Sequence, residues 1–276
     1  MRIRDYPSQE PTNPAAVAYR QACMDGSFGV AFSEFSFGPD PHQSVGFYPA
    51  ARAAGPLFAF MHGGGWTNGY KETMGFMAPA FQAQGIAFAS IGYRLAPTHV
   101  FPAGVDDCAA AIGELYRRAD SLGFDRTRIF VGGHSSGGHY AALLAVRRDW
   151  QAAIGVPVDV IKGCLPISGV YRFGEGSGLA MRPRFLGSDD AGVATEASPI
   201  ERIDGTPPPF LIAYGDADFA HLRIQPVDME AALRARGGSV ESIAFSGRDH
   251  FTASLAGGEE NGPWVPIARA FIDDRR

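Results

Sequence analysis

The chain has 276 residues, of which 46% are hydrophobic and 19% charged, so it can bury a substantial core without disulfides. Its formal net charge is −5 and it has no cluster of lysine or arginine, which argues against a nucleic-acid partner. Cys23, Cys108 and Cys164 lie in apolar stretches and are expected to be buried free thiols in a reducing compartment. No cysteine or histidine cluster has metal-ligand spacing, so no metal is expected.

The predicted elements begin after a polar segment, residues 1–14, which lacks the apolar h-region of a signal peptide. No apolar run is long enough to span a bilayer, so we expect a cytoplasmic protein without a membrane partner. From about residue 30, strand-like and helix-like segments alternate. This alternation predicts an α/β fold in a single domain over residues 1–276.

The predicted strands are short apolar or β-branched runs, and the predicted helices carry apolar residues at three- and four-residue steps. The strands are 32–37, 44–48, 56–61, 86–93, 128–131, 158–168, 210–214 and 240–245. The helices are 15–23, 74–84, 103–119, 136–146, 221–236 and 265–272. Between 171 and 209 this periodicity stops and Gly, Pro and Ser are frequent, which predicts an excursion over the sheet that forms a small lid.

The segment Gly133-His134-Ser135-Ser136-Gly137 matches G-x-S-x-G, in which a serine lies on a tight turn between a strand and a helix. Such a turn exposes the hydroxyl next to a helix N-terminus, which favours negative charge. The glycines remove side chains that would collide there. The motif alone is weak in a glycine-rich chain, but a predicted strand precedes it and a predicted helix follows it. We therefore predict that Ser135 is a nucleophile.

A glycine run, His62-Gly63-Gly64-Gly65-Trp66, follows the predicted strand 56–61. An enzyme that transfers acyl groups needs backbone N–H donors for an oxyanion, and glycines let the chain approach the substrate closely. The run therefore predicts an oxyanion loop, with the N–H of Ser136 as a further donor. The alternative is a phosphate-binding loop, but its G-x-G-x-x-G or Gly-Lys-Ser/Thr pattern does not occur here.

A nucleophilic serine needs a histidine base, which follows the serine and the acid in chain order. Of the seven histidines, four precede the serine, His139 lies one helical turn after it, and His221 lies in a predicted helix. His250 remains, in a predicted turn over 247–251. We therefore predict that His250 is the base.

Two carboxylates, Asp216 and Asp218, follow the predicted strand 210–214. Asp218 lies further into the loop, where it can reach His250, whereas Asp216 is suited to a turn-stabilising bond with its own backbone. Asp249 is too close in sequence to His250 to be its ordinary partner. The residues favour Asp218 and leave Asp216 as the alternative.

These motifs resemble those of α/β-hydrolases, in particular hormone-sensitive-lipase-like esterases and kynurenine formamidase (arylformamidase), over about residues 57–251. The glycine run resembles the family's H-G-G-G-W, which implies that Gly63 and Gly64 are oxyanion donors. The segment Tyr93-Arg94-Leu95-Ala96-Pro97 resembles a structural block of the esterases.

Other residues resemble the formamidases more closely than the esterases. The esterases usually have an aspartate where this chain has His134, and the formamidases have a histidine at the position of His139. The spacing from Asp218 to Gln225 is also similar to theirs, which supports Asp218 as the acid. Gly65 departs from this pattern, since the formamidases usually have an aromatic residue there.

The resemblance implies an α/β-hydrolase fold: a mostly parallel central sheet with helices on both faces and a lid-like insertion over 171–209. It implies a serine hydrolase that cleaves a small-molecule carboxylic ester or aryl formamide through an acyl-enzyme, without metal or organic cofactor. Trp66 and Tyr70, with the segment 171–186, are predicted to line the substrate pocket, and core packing is the alternative for Trp66. The alternative function is an inactive binding protein that keeps the fold. A homodimer is left open.

Overall fold

The computed structural model describes residues 3–174, 177 and 182–275. Within these residues the chain forms eight strands: β1 (Ser33–Ser36), β2 (Ser44–Tyr48), β3 (Gly55–Met61), β4 (Ala87–Ile91), β5 (Phe124–His134), β6 (Ile161–Ile167), β7 (Phe210–Gly215) and β8 (Val240–Phe245). They form one sheet in the order β1-β2-β4-β3-β5-β6-β7-β8. Strand β2 is antiparallel to β1 and β4, and all other neighbours are parallel. The predicted mostly parallel α/β sheet is confirmed.

Helices flank this sheet. The described α-helices are α1 (Pro14–Ser27), α2 (Ala78–Gln82), α3 (Ala103–Leu122), α4 (Ser136–Val146), α5 (Gln151–Ile154), α6 (Arg182–Leu186), α7 (Ala191–Ala197), α8 (Ala220–Ala235), α9 (His250–Leu255) and α10 (Val265–Asp273). Shorter 3-10 helices cover Ile3–Asp5, Lys71–Met77, Pro199–Glu201 and Ala256–Gly258.

Both faces of the central strands are buried. Along β3, Leu57 and Ala59 belong to one hydrophobic cluster, which also contains apolar residues of α3 and α4. The alternate residues Phe58 and Phe60 belong to a second cluster, which contains apolar residues of α10. Because a strand that is covered on both faces has no polar side, β3 is a continuous apolar run in the sequence.

The strand that leads to Ser135 is longer than predicted. It runs over Phe124–His134 instead of 128–131, because polar residues at its start and two glycines near its end obscured the pattern. Gly132 pairs in register with Phe60 of β3 on one side and with Leu165 of β6 on the other. Pairing with two neighbours holds a central strand together even where its own residues have low β-propensity.

The predicted helix over 74–84 is wrong in its first half. A 3-10 helix covers Lys71–Met77, and α2 begins only at Ala78. Pro79 lies in the first turn of α2, where its missing N–H costs nothing, whereas inside a longer helix its ring would clash with the preceding turn. The predictions for 44–48, 136–146 and 240–245 match the observed bounds.

The predicted excursion over 171–209 contains more regular structure than expected. Its described part includes α6, α7 and the 3-10 helix Pro199–Glu201, and residues 175–176 and 178–181 lie outside the described residues. Helix α7 begins at a capping residue, since the side chain of Asp190 accepts a hydrogen bond from the N–H of Gly192.

The three cysteines are buried and free, as predicted. None of the helices within the described residues combines the length and the apolar character needed to cross a bilayer.

Candidate active site

Ser135 occupies a strained turn between β5 and α4. Its backbone has φ 56° and ψ −118°, a conformation that typically costs a non-glycine residue about 1–3 kcal/mol. A Cβ at Gly133 would lie 2.3 Å from the backbone of Gly137, and a Cβ at Gly137 would lie 2.1 Å from the carbonyl oxygen of Met61. The turn can therefore form only with glycine at both positions.

The structure brings Ser135, His250 and Asp218 together. His250 Nε2 lies 3.0 Å from Ser135 Oγ, and His250 Nδ1 lies 3.0 Å from Asp218 Oδ1. Because an ionised carboxylate can only accept, Nδ1 carries the proton and Nε2 faces the serine hydroxyl as an acceptor. This is the arrangement in which an imidazole can remove the proton of a serine.

Asp218 is buried and fully engaged. Its Oδ2 accepts a hydrogen bond of 2.5 Å from Ser168 Oγ, and its Oδ1 accepts one of 2.7 Å from the N–H of Phe219. Burial raises the pKa of Asp218, but the hydrogen bonds and charge of His250, with those from Ser168 and Phe219, outweigh it and hold the pKa below its usual value. The carboxyl therefore stays ionised beside the imidazole.

The alternative acid, Asp216, lies elsewhere. It is exposed, and its Oδ1 accepts a hydrogen bond of 2.8 Å from the N–H of Gly247, so it holds the loop that precedes His250. The predicted turn over 247–251 is in part a helix, since α9 begins at His250. Asp249 caps this helix by accepting from the N–H groups of Phe251 and Thr252.

The glycine run lies against the turn at Ser135. A Cβ at Gly63 would be 3.4 Å from the Cβ of Ser135 and 2.7 Å from His134 Nδ1. Gly64 has φ +133°, and a Cβ there would collide with the backbone of Asn68, so neither position has room for a side chain. Ser136 is the first residue of α4, where backbone N–H groups have no partner within the helix.

His134 packs directly behind His250, with ring centroids 4.6 Å apart. Its Nε2 lies 2.9 Å from the carbonyl oxygen of His250, and its Nδ1 lies 3.3 Å from the hydroxyl of Tyr19. Burial, followed by the proximity of His250, lowers the pKa of His134 to about 3, so the ring is neutral at physiological pH. Since a carbonyl can only accept, the proton of this neutral ring is on Nε2.

A cavity of about 520 Å³ opens over the serine and the histidine. Its size is in the range of pockets for small organic molecules. Its described lining combines the glycine loop with α1 and the residues before it: Glu10, Pro11, Thr12, Asn13, Ala16, Tyr19, Arg20, Gly63, Gly64, Gly65, Thr67, Asn68, Gly69, Thr73, Met74, His134, Ser135, Arg184, Phe219, His250 and Phe251.

The N-terminal wall of this cavity is the part of the site that sequence reasoning missed. Gln9 fixes the wall, because its side-chain amide donates to the carbonyl of Gly69 at 2.8 Å and accepts from the N–H of Gly69 at 2.9 Å. Helix α1 then starts at Pro14 with Asn13 as its cap. The cap and proline were a signal for the helix, but they do not indicate where a helix packs.

Trp66 and Tyr70, which the sequence predicted to line the pocket, pack against other residues in the structure. Trp66 is buried, its ring stacks on Phe185 at a centroid distance of 4.4 Å, and its indole N–H donates to His139 Nδ1. A buried indole needs such a partner for its N–H, and this contact directs the ring into the core. The ring of Tyr70 packs 5.2 Å from that of Tyr6. Neither residue belongs to the described cavity lining.

The segment 171–186, also predicted to line the pocket, contributes Arg184, and its residues 175–176 and 178–181 lie outside the described residues. The part of the chain that the structure describes has no group of three or more His, Cys, Asp or Glu side chains placed to hold a metal ion.

The sequence is similar to a protein-family model and to two proteins that are named as esterases. A family model described as BD-FAE matches residues 47–162. Esterase LipC of Mycobacterium tuberculosis is 29% identical, over 98% of this chain and 70% of LipC. Carboxylic ester hydrolase LipN of the same organism is 32% identical, over 70% of this chain and 56% of LipN. The chain thus spans 70% of one of these relatives and little more than half of the other.

The structure is also similar to solved structures. A hyperthermophilic esterase from Pyrobaculum calidifontis superposes with a TM-score of 0.77 at 23% identity, over 94% of this chain and 92% of that chain. At this identity the likeness supports the fold alone. With the sheet order and the sequence likenesses, it leads to one conclusion: the chain belongs to the α/β-hydrolase superfamily.

Proposed function

We propose that this protein hydrolyses a small carboxylic ester through an acyl-enzyme on Ser135. The observation that carries the proposal is the hydrogen-bonded series Ser135–His250–Asp218, with 3.0 Å at each step, at the base of a cavity. A serine hydroxyl is a weak nucleophile unless a positioned base removes its proton, and this series supplies the base and the group that orients it.

In the proposed reaction His250 takes the proton of Ser135 as the hydroxyl attacks the ester carbonyl. Asp218 keeps the imidazole in the required tautomer and stabilises its positive charge. The N–H groups of Gly63, Gly64 and Ser136 bind the oxyanion, and the loss of one such donor typically lowers the rate on the order of a hundredfold. His250 then protonates the departing alcohol and activates the water that releases the acid.

The named relatives support an ester as the substrate, since LipC is named as an esterase and LipN as a carboxylic ester hydrolase. An aryl formamide is the second candidate. It is favoured by His134 and by Gln225, whose side-chain oxygen accepts from the N–H groups of Tyr171 and Arg172. These are two of the positions at which the sequence resembles formamidases.

Labelling with a fluorophosphonate probe tests the nucleophile. We expect wild type to be labelled and Ser135→Ala to lose the label. Ser136→Ala is the matched control, because it removes the neighbouring hydroxyl but keeps the backbone N–H, and it should still react. Absence of label from folded wild-type protein would favour the inactive binding protein instead.

Rates on 4-nitrophenyl acetate and butyrate, compared with rates on an N-formyl aryl amine, separate the two substrates. We expect the esters to be turned over faster by orders of magnitude. Faster turnover of the formamide would mean that the substrate is an aryl formamide and not an ester.

A further inference from the structure

Arg20 lies on the face of α1 that closes the cavity above Ser135. Asn13, Ala16 and Arg20 all line the cavity, as expected for residues that are three, four or seven positions apart on one helix. Arg20 is half-buried. Part of the Arg20 side chain is therefore withdrawn from water, and the residue borders the same cavity as Ser135 and His250.

Within the described residues, no carboxylate forms an ion pair with Arg20. Helix α1 offers none, since positions 16, 17, 23 and 24, one turn away on either side, hold Ala, Val, Cys and Met. The other arginine of the lining, Arg184, differs in this respect because it is paired with Glu10. Arg20 thus borders the cavity, as a ligand-binding residue would. It has no carboxylate partner among the described residues, unlike an arginine with a structural role.

The charges of the described lining do not cancel. It contains one carboxylate, Glu10, and two guanidinium groups, Arg20 and Arg184. Because Glu10 and Arg184 neutralise each other, the positive charge of Arg20 is not compensated within the described lining. The cavity therefore carries a local positive charge, although the net charge of the chain is −5. A positive charge in a concave, partly desolvated site attracts an anion more strongly than the same charge in open water does.

We propose that the substrate is an ester that also carries a negatively charged group, such as a carboxylate, and that Arg20 binds this group. This inference rests on the proposed function and narrows its substrate class. Arg20 and Ser135 line the same cavity of about 520 Å³, so one small molecule can present its ester carbonyl to the serine and its anionic end to the guanidinium. Arginine suits this role, since its planar group can bind a carboxylate through two hydrogen bonds.

Two pairs of esters that differ only in charge test the proposal. On the acyl side the pair is 4-nitrophenyl hydrogen adipate and its methyl ester, followed by release of nitrophenol. On the alcohol side the pair is 4-carboxyphenyl butyrate and its methyl ester, followed by release of the phenol. For each pair the measured quantity is the ratio of kcat/KM for the anionic ester to kcat/KM for its neutral twin.

In at least one pair we expect this ratio to fall roughly fivefold or more in Arg20→Gln, as for the loss of one partly exposed charged contact. Arg20→Lys should restore part of the ratio, because it keeps the charge without the planar group. The control is Arg269→Gln on α10, which removes the same charge at a position outside the described cavity lining and should leave both ratios unchanged.

Ratios that are the same in Arg20→Gln and wild type for both pairs would overturn the anion site while leaving the esterase intact. If folded wild type hydrolyses none of the four esters and does not react with the fluorophosphonate, the proposed function itself fails. The two failures are therefore distinguishable.

Discussion

His134 donates a hydrogen bond of 2.9 Å from Nε2 to the backbone carbonyl of His250. The residue before the proposed nucleophile thus holds the residue proposed as its base, although the two are 116 positions apart in sequence. On the other side of the ring, Tyr19 of α1 donates to His134 Nδ1 and also contacts Ser254 Oγ at 2.7 Å. Ser254 and His250 both belong to α9, so α1 is joined to α9 directly through Tyr19 and Ser254 and indirectly through the neutral imidazole of His134.

Replacing His134 should slow the reaction without weakening substrate binding. In His134→Leu the carbonyl of His250 loses its donor, and we expect kcat to fall roughly tenfold, the equivalent of one net hydrogen bond, with KM within about twofold of wild type. His134→Gln offers an amide donor of similar reach and should recover part of kcat. Steady-state rates on 4-nitrophenyl butyrate check this, and a wild-type kcat in His134→Leu would contradict it.

Ser168→Ala should move the acid limb of the pH–activity profile upward. The hydroxyl of Ser168 helps to keep the pKa of Asp218 low. Without that hydrogen bond the pKa of Asp218 rises, so the carboxyl becomes protonated at a higher pH as the solution is acidified. The profile of kcat/KM against pH measures the shift. Ser121→Ala, at the exposed end of α3, is the control, and equal acid limbs in wild type and Ser168→Ala would disprove the effect.

Alanine at Gly137 and at Gly65 should have very different effects on stability. At Gly137 the added Cβ would lie 2.1 Å from the carbonyl oxygen of Met61, whereas at Gly65 it would meet nothing within 4 Å and face only a backbone φ of +61°. We expect Gly137→Ala to lower the free energy of unfolding by about 3 kcal/mol or more, and Gly65→Ala by about 1 kcal/mol. Urea unfolding curves give both values, and similar losses would refute the steric argument.

The two lysines of the chain should contribute unequally to stability. Lys71 is 1% exposed, and its Nζ contacts Glu34 at 3.0 Å, Glu72 at 2.5 Å and the hydroxyl of Tyr6 at 2.8 Å. Lys71→Met leaves two carboxylates without this cation, and we expect a loss of about 3 kcal/mol in the free energy of unfolding.

Lys162→Met is the matched control, since Lys162 pairs with Asp159 at the surface and such a pair is usually worth less than about 1 kcal/mol. Chemical denaturation of both variants makes the comparison. A loss at Lys71 no larger than that at Lys162 would mean that the contacts of the buried Lys71 ammonium add nothing to stability beyond those of a surface pair.

Three side chains could be proposed for the reaction from the sequence because local chemistry restricts the choice strongly. The turn motif specifies Ser135, and chain order leaves few residues for the other two positions. The structure places His250 within hydrogen-bonding distance of both Ser135 and Asp218. Strand β5 and the 3-10 helix at Lys71–Met77 were harder to predict, since tertiary pairing and a proline override the local pattern there.

The surroundings of these side chains could not be predicted in the same way. Trp66 directly follows the glycine run, yet its φ of +63° and the partner that its indole N–H finds in His139 place it in the core. Helix α1 was predicted, but its contact with the glycine loop depends on Gln9 and Gly69, which are 60 residues apart. A pair of that kind leaves no periodic signal in the sequence.

The two hydrogen bonds between Gln9 and Gly69 hold the N-terminal segment against the glycine loop, and this arrangement has an evolutionary consequence. The residues proposed for the reaction follow β5, β7 and β8, whereas much of the cavity lining comes from a segment that precedes the sheet. Thr12 and Ala16 of this segment line the cavity, whereas Tyr19 is tied to His134 behind the proposed base. Substitutions at positions 12 and 16 would therefore change which molecules the cavity accepts and leave the proposed Ser135–His250–Asp218 series in place, so the two properties can diversify separately.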